Sequence, residues 1–180
     1  METLEELEQK VWWGYLGEDL QKLIKASELL NSSMKGWGAD LPGGRKVFDD
    51  YSFVVFPAAK AYEGFLKKMF LDLGFITLED YSGKRFRIGK ALNPSLEKEL
   101  RKEGVYDKIV EFCQGRELAD HLWETWKLSR NLVFHWFPNE KNASTLEEAE
   151  ERIEMIIKAI DKAFVECRVE KGSWKLPDGK

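Results

Sequence analysis

Apolar residues recur at intervals of three and four positions along most of this chain, and that spacing predicts amphipathic helices. Residues 2–33 carry the pattern in a segment rich in Glu, Leu and Lys, but Gly14 and Gly17 interrupt it. We therefore expect one broken helix or two short ones there. Residues 34–45 hold four glycines and Pro42, a composition that predicts a loop.

The widest apolar face belongs to a helix predicted from Asp49 or Asp50, either of which can act as the N-cap, to about Leu73. Gly74 supplies a C-terminal stop. Pro57 either kinks this helix or begins a second piece of it. The apolar positions of its second half are Tyr62, Phe65, Leu66, Met69, Phe70 and Leu73.

The helical period is lost between residues 76 and 94, which predicts a loop or a short hairpin. Asn93 and Pro94 then stand in the order of an N-cap and a first helical residue. The helix that they predict breaks near Gly104 and resumes from Tyr106 to a stop at Gly115.

Two more helices are predicted in the last third of the chain. The first covers about residues 116–136 and ends before a proline, and the second follows a capping box at residues 144–147 (STLE) and runs to about residue 168. We expect an all-α bundle of about five or six helices in a single domain, residues 1–180. Its parts are an N-terminal helical segment (1–33), a core (49–168) and a tail (169–180).

Composition and charge narrow the function. The chain of 180 residues is long enough to bury a sizeable core, and its formal net charge of −4 argues against binding nucleic acid through bulk positive charge. Cys113 and Cys167 lack C-x-x-C spacing and fall on apolar positions, which favours buried reduced thiols. Because neither a signal-peptide pattern nor an apolar run of about 18 residues occurs, we expect a cytoplasmic protein without membrane contact.

The segment at residues 129–138 (SRNLVFHWFP) places Arg130, Asn131 and His135 among apolar side chains. A helix that is apolar on nearly every side is buried or lies in an interface, and a buried charge is costly unless it is paired or used. A hydrogen-bonded core histidine with a salt-bridged arginine would explain this pattern, and so would a functional site.

The spacing of Arg130 and His135, with the polar Asn131 directly after the arginine, resembles the R-x4–6-H motif of the HEPN superfamily, small all-α domains of which many are metal-independent ribonucleases. The resemblance covers about residues 49–167. It implies a HEPN-type helical bundle that cleaves RNA without a metal or cofactor, leaving 2′,3′-cyclic phosphate and 5′-hydroxyl ends. A zinc site is not expected, because the histidines and cysteines lack the usual ligand spacing.

Residues 58–68 (AAKAYEGFLKK) resemble the helix that carries a functional glutamate in the RnlA-type toxin subunits of RNase LS. This resemblance adds Glu63 to the candidate site and implies a toxin or antiviral effector with an antitoxin protein as a partner. Without it, Glu63 and Lys67 at positions i and i+4 indicate an ordinary surface ion pair.

These residue types suit phosphodiester cleavage. His135, with an unperturbed pKa of about 6.5, can take a proton from a 2′-hydroxyl or give one to the leaving 5′-oxygen. Arg130 can hold the phosphate and stabilise its developing charge, although an ideal helix would set it about 140° away from His135. Asn131, at i−4, can orient the imidazole, and Glu63 can orient or polarise either group.

Five basic side chains are candidate RNA contacts: Lys60 and Lys67 on the long helix, and Lys84, Arg85 and Arg87 in the segment after it. In an acidic protein such a cluster can steer phosphate groups. The alternative for the second group is a solvated loop.

Acid–base catalysis needs two proton-transfer groups, but each chain has one motif histidine. HEPN proteins commonly dimerise so that two motifs face one cleft, and the resemblance therefore implies a homodimer. His121, the other histidine, is expected to be structural, with a supporting role as the alternative. The competing function is a non-catalytic HEPN module for protein interaction or nucleotide binding.

Overall fold

The computed structural model describes residues 2–39, 47–101, 104–136, 138 and 143–167. Within these ranges the chain is all-helical and forms no strand, as predicted. The α-helices are α1 (Leu4–Glu8), α2 (Trp13–Leu16), α3 (Glu18–Ala39), α4 (Ser52–Asp72), α5 (Leu78–Ser82), α6 (Ile88–Ala91), α7 (Lys98–Arg101), α8 (Tyr106–Phe112), α9 (Glu117–Trp126) and α10 (Leu146–Glu166). No helix among the described residues is both long and apolar enough to cross a membrane.

Helix α4 lies at the centre of the bundle. It packs against α3 on one side and α10 on the other, and α10 also packs against α9. The α4 side chains that are buried are Val54, Val55, Ala58, Ala59, Ala61, Tyr62, Phe65, Leu66, Met69 and Phe70. Because so much of its surface is covered, α4 joins the other long helices into one apolar core.

Hydrogen bonds across the bundle fix how the helices lie against one another. The Tyr62 hydroxyl donates to the Leu122 carbonyl in α9 at 3.1 Å, and Ser27 Oγ in α3 donates to the Val54 carbonyl at 2.6 Å. The Trp12 indole N–H donates to Asp161 in α10 at 2.9 Å. These bonds pair polar groups that would otherwise be costly in or near a dry core.

The start of α4 is tied to the start of α10 through Asp50, one of the two predicted capping residues. Its carboxylate accepts hydrogen bonds from the Ser52 N–H at 2.9 Å and from the Ser144 N–H at 3.0 Å. The Ser144 carbonyl accepts in return from the Tyr51 N–H at 2.9 Å. Pro57 lies inside α4 without ending it, and the predicted stop at Gly74 is confirmed by its φ of 69°.

Several predicted boundaries are wrong. Helix α3 continues through residues 34–39, which were expected to begin a loop, because Met34 still points into the core; residues 40–46 lie outside the described ranges. The expected loop or hairpin at 76–94 contains α5 and α6, the first capped by Thr77. Asn93 closes a turn by accepting from the Ser95 N–H, so the next helix begins only at Lys98.

Two predicted helix boundaries are displaced by one residue. Helix α8 ends at Phe112, and Gln114, not the predicted stop residue Gly115, takes a positive φ of 53°. The capping box of α10 consists of Thr145 and Glu148 instead of residues 144 and 147. Of the two interruptions predicted in the N-terminal segment, Gly17 separates α2 from α3 with a φ of 76°, whereas Gly14 lies inside α2, so two short helices and a long one form there. The predicted tail, 169–180, lies outside the described residues.

The cysteines are free thiols, as expected: Cys167 is buried and Cys113 is half-buried. Burial, together with the neighbouring Cys113, raises the pKa of the Cys167 thiol to about 12. A thiol with so high a pKa is protonated and unreactive at neutral pH.

We predict that Asp50→Asn lowers the free energy of unfolding by about 1 kcal/mol, because it weakens the N–H···carboxylate bonds that join the starts of α4 and α10. Partial burial alone would raise the pKa of Asp50, but the N–H groups of Ser144 and Ser52 and the Arg152 charge hold it below its ordinary value. The stabilisation is therefore complete above the unfolded-state pKa of about 3.9 and disappears as the pH falls through the lower folded-state value. Urea denaturation at pH 7 and at pH 3 measures both effects.

Asp49→Asn is the matched control, since Asp49 is exposed like Asp50 but the bonds from Ser52 and Ser144 go to Asp50. It should leave the urea midpoint unchanged at both pH values. Equal losses from both variants would contradict the assigned role of Asp50.

Candidate active site

The segment that holds Arg130 does not continue as the predicted α-helix to residue 136. Helix α9 ends at Trp126 and a π-helical turn follows at Lys127–Asn131, in which the Leu132 N–H donates to the Lys127 carbonyl at 2.9 Å. A π turn inserts one extra residue into the helical ladder, and such turns are frequent at functional sites. The ideal-helix geometry assumed for Arg130 and His135 therefore does not apply.

The π turn sets the Arg130 guanidinium between two aromatic rings. Its central carbon lies 5.4 Å from the centroid of Trp126 and 5.8 Å from that of Phe134. A guanidinium group is attracted to the face of an aromatic ring by a cation–π interaction. Two such contacts limit the motion of the Arg130 side chain. Trp126 and Phe134 each stand four residues from Arg130, and this helical spacing could have identified both rings from the sequence.

Arg130 also contacts Glu63, which comes from α4, 67 positions earlier in the chain. The distance from Arg130 Nη2 to Glu63 Oε2 is 3.4 Å, and about one third of each side chain is exposed (35% and 32%). Among the described residues, the ion pair of Glu63 is with Arg130 and not with Lys67, so the surface pair expected from spacing alone is wrong. Tyr62, the adjacent residue, is buried and fixes this part of α4 to α9.

A cleft of about 570 Å³ opens over this ion pair, between α3, α4 and the π turn. We call it the Arg130 cleft. Lys60 and Lys67, both predicted RNA contacts, line it together with Glu63, Phe56 and Phe134. A Cβ at Gly64 would lie 2.5 Å from a Leu20 methyl group, so this glycine permits the close approach of α3 that forms the floor.

His135 lies beyond the end of the π turn, directly after Phe134, and is exposed. Its Nδ1 lies 2.5 Å from the backbone carbonyl oxygen of Asn131. Because a carbonyl oxygen only accepts, Nδ1 carries the proton and the lone pair of the neutral imidazole falls on Nε2. The predicted role of Asn131 in orienting the imidazole thus corresponds to its backbone, since the Asn131 side chain is exposed.

The apolar side chains of the motif are mostly not in the core. Val133 is buried, but Leu132 is 37% exposed and Trp136 is 81% exposed. Phe56 is 52% exposed, and its ring meets Phe134 edge to face with centroids 5.5 Å apart. An exposed apolar surface therefore borders the Arg130 cleft at Phe56, and the alternative of a core histidine is wrong because His135 is exposed.

The remaining predicted residues lie elsewhere. Arg85 and Arg87 line a separate cleft beside α5 and α6, and Lys84 is exposed next to it. His121 is half-buried on α9; burial and the Lys162 charge lower its pKa, so its imidazole is neutral at pH 7. Within the described residues, no three His, Cys, Asp or Glu side chains cluster to hold a metal ion.

Comparisons of the chain with protein-family models, with curated proteins and with solved structures give no match.

We predict that Glu63→Gln lowers the free energy of unfolding by less than about 1 kcal/mol, because an ion pair one third exposed is strongly screened by water. Tyr62→Phe, at the adjacent position, removes the buried hydroxyl bond to the Leu122 carbonyl and should cost about 1 kcal/mol or more. Urea denaturation of both variants measures the difference. A loss from Glu63→Gln greater than that from Tyr62→Phe would mean that the ion pair is a structural element of the core.

Proposed function

We propose that this chain is a HEPN-type endoribonuclease that cleaves RNA to 2′,3′-cyclic phosphate and 5′-hydroxyl ends without a metal ion. The observation that supports the proposal most directly is the contact between Arg130 and Glu63. Two residues from distant segments, each selected from a separate sequence resemblance, lie together in a cleft with Lys60 and Lys67. An ion pair with only a structural role would not require a cleft lined by further cations and aromatic rings.

Arg130 holds the phosphate in this mechanism. A guanidinium has five N–H donors, so a single contact with Glu63 leaves donors for two phosphate oxygens. Glu63 and the rings of Trp126 and Phe134 fix its position in advance. Donors that are oriented before the reaction stabilise the extra charge of the pentavalent state at no cost of reorganisation.

His135 transfers the proton. With Nδ1 directed at the Asn131 carbonyl, Nε2 is the basic atom that accepts the 2′-hydroxyl proton. The 2′-oxygen then forms a bond to phosphorus, the bond from phosphorus to the 5′-oxygen breaks, and the leaving oxygen takes a proton from a second acid, the protonated imidazole of a second copy of the chain. Substrate binding has to bring His135 and the scissile phosphate together, because His135 is outside the lining of the Arg130 cleft.

The biological role that we propose is that of a cytoplasmic toxin or antiviral effector, which has direct access to RNA. An antitoxin protein would keep it inactive in growing cells. The competing module, which binds a nucleotide or a protein without cleaving RNA, is supported by the exposure of His135 outside the cleft.

We predict that Arg130→Ala and His135→Ala each reduce cleavage of single-stranded RNA by at least about 100-fold, since each removes a group that acts in the transition state. Glu63→Gln should also lose most activity while its melting temperature stays close to that of the wild type. The assay is incubation with EDTA followed by analysis of the RNA ends.

His121→Gln is the matched control for the histidine and should cleave at nearly the wild-type rate. Wild-type activity in His135→Ala, or activity that EDTA abolishes, contradicts the mechanism. A folded wild-type chain that binds nucleotides but cleaves no RNA favours the non-catalytic module.

A homodimer would supply the second imidazole. The exposed apolar surface beside the Arg130 cleft, formed by Phe56, Leu132 and Trp136 with the half-buried Phe134, is of the kind that marks interaction sites. Two copies joined through this surface by a two-fold axis would bring both His135 side chains to one cleft.

We predict that Trp136→Glu converts the protein from a dimer to a monomer and lowers cleavage, because a carboxylate cannot be buried unpaired in an apolar interface. Light scattering at micromolar concentration should give twice the chain mass for the wild type and the single mass for the variant. Trp37→Glu alters another exposed tryptophan, on α3, and should remain dimeric. A fully active wild-type monomer would contradict the shared cleft.

A further inference from the structure

A second cleft, of about 670 Å³, lies where α4 ends, between α5, α6 and α8. We call it the basic cleft. Four cationic side chains line it, Arg85, Arg87, Lys90 and Lys108. The chain as a whole has a net charge of −4, so this concentration of positive charge is local.

The carboxylate that lines the basic cleft, Asp80, caps the N-terminus of α5. Asp80 accepts from the Thr77 N–H at 3.1 Å and the Thr77 hydroxyl at 2.8 Å, which together cap α5. In the described part of the chain, Arg85, Arg87 and Lys90 form no ion pair. Their charges are therefore compensated mainly by solvent, as expected at a surface that binds an anion.

Lys108 and two aromatic rings give the basic cleft a fixed wall. The Lys108 ammonium donates to the Phe75 carbonyl at 2.7 Å, and two of its three protons remain for other acceptors. Phe75 and Phe86 are half-buried in the same lining. Cations that follow a phosphate backbone, combined with aromatic faces on which bases stack, are typical of sites for single-stranded nucleic acid.

One stripe of α4 leads from the Arg130 cleft to the basic cleft. Lys60, Glu63, Lys67 and Leu71 follow one another at spacings of three and four residues, and Gly74 continues the series into the basic cleft. The rise from Glu63 to Gly74 is about 16 Å. A stacked strand, at about 3.4 Å per nucleotide, covers that distance with about five nucleotides.

We propose that the basic cleft binds the phosphate backbone of single-stranded RNA about five nucleotides away from the phosphate held by Arg130. This inference rests on the proposed ribonuclease function and adds a second binding site for the RNA strand to it. The protein requires an unpaired strand long enough to reach both clefts, and short oligonucleotides bind through the Arg130 cleft alone.

The test is fluorescence anisotropy of a labelled 12-nucleotide and a labelled 4-nucleotide RNA, measured on chains that carry His135→Ala so that the RNA stays intact. Lys90→Gln and Arg87→Gln should each weaken binding of the 12-mer about fivefold at 0.1 M salt, the value of one phosphate contact by counterion release. Each should also reduce the slope of log K against log salt concentration by about 0.7. Binding of the 4-mer should not change.

Lys158→Gln is the control, because Lys158 is an exposed lysine on α10 that lines neither the basic cleft nor the Arg130 cleft. It should alter 12-mer affinity by less than twofold. Equal losses from Lys158→Gln and Lys90→Gln would mean that only bulk charge matters, and the inference would be wrong. ATP is the third probe: if it binds as tightly as the 12-mer and Lys90→Gln removes that binding, the cleft holds a free nucleotide and not RNA.

Failure of this inference is distinguishable from failure of the proposed function. If the wild type cleaves the 12-mer and Lys90→Gln cleaves and binds it equally well, the basic cleft has no role while the nuclease stands. If the wild type cleaves no RNA but Lys90→Gln loses 12-mer affinity as expected, the basic cleft binds RNA in a protein that is not a nuclease.

Discussion

Most of the surface of α4 is buried, and the positions of the surrounding helices and of the Arg130 cleft follow from that burial. Tyr62 is fully enclosed, and its hydroxyl has to find an acceptor, which it does at the Leu122 carbonyl of α9. That bond fixes the distance between α4 and the end of α9. Glu63, rotated by about 100° from Tyr62 on the helix, is consequently held at the border of the core, facing the segment that carries Arg130.

The π turn positions Arg130 opposite Glu63. Trp126 is buried against α6, where a Cβ at Gly89 would lie 2.9 Å from its indole nitrogen. With Trp126 held there, the extra residue of the π turn sends Arg130 over the indole ring and towards Glu63. The cation is thus positioned by packing as much as by charge, which explains how a partly exposed ion pair can have a defined geometry.

The positive charge of the protein is also concentrated at particular places in the fold. An acidic chain cannot attract RNA over a long range, since its net charge repels phosphate. The fold nevertheless brings cations together locally, in the two clefts at either end of the α4 stripe. The fold therefore creates basic surfaces that the overall composition conceals.

Helical periodicity and capping depend on a few neighbouring residues, so the sequence alone was sufficient to predict the all-α class, the long central helix between Asp49 or Asp50 and Gly74, and the closing helix. It also identified Arg130 and His135 as the chemically unusual pair of the apolar segment. It did not determine the π turn, for which the exchange of an i−4 for an i−5 hydrogen bond depends on how Trp126 packs. Nor did spacing reveal that Glu63 pairs with Arg130 or that the basic residues divide between two clefts. Those contacts join segments far apart in the chain, and only the packing of α4 against its neighbours decides which side chains meet.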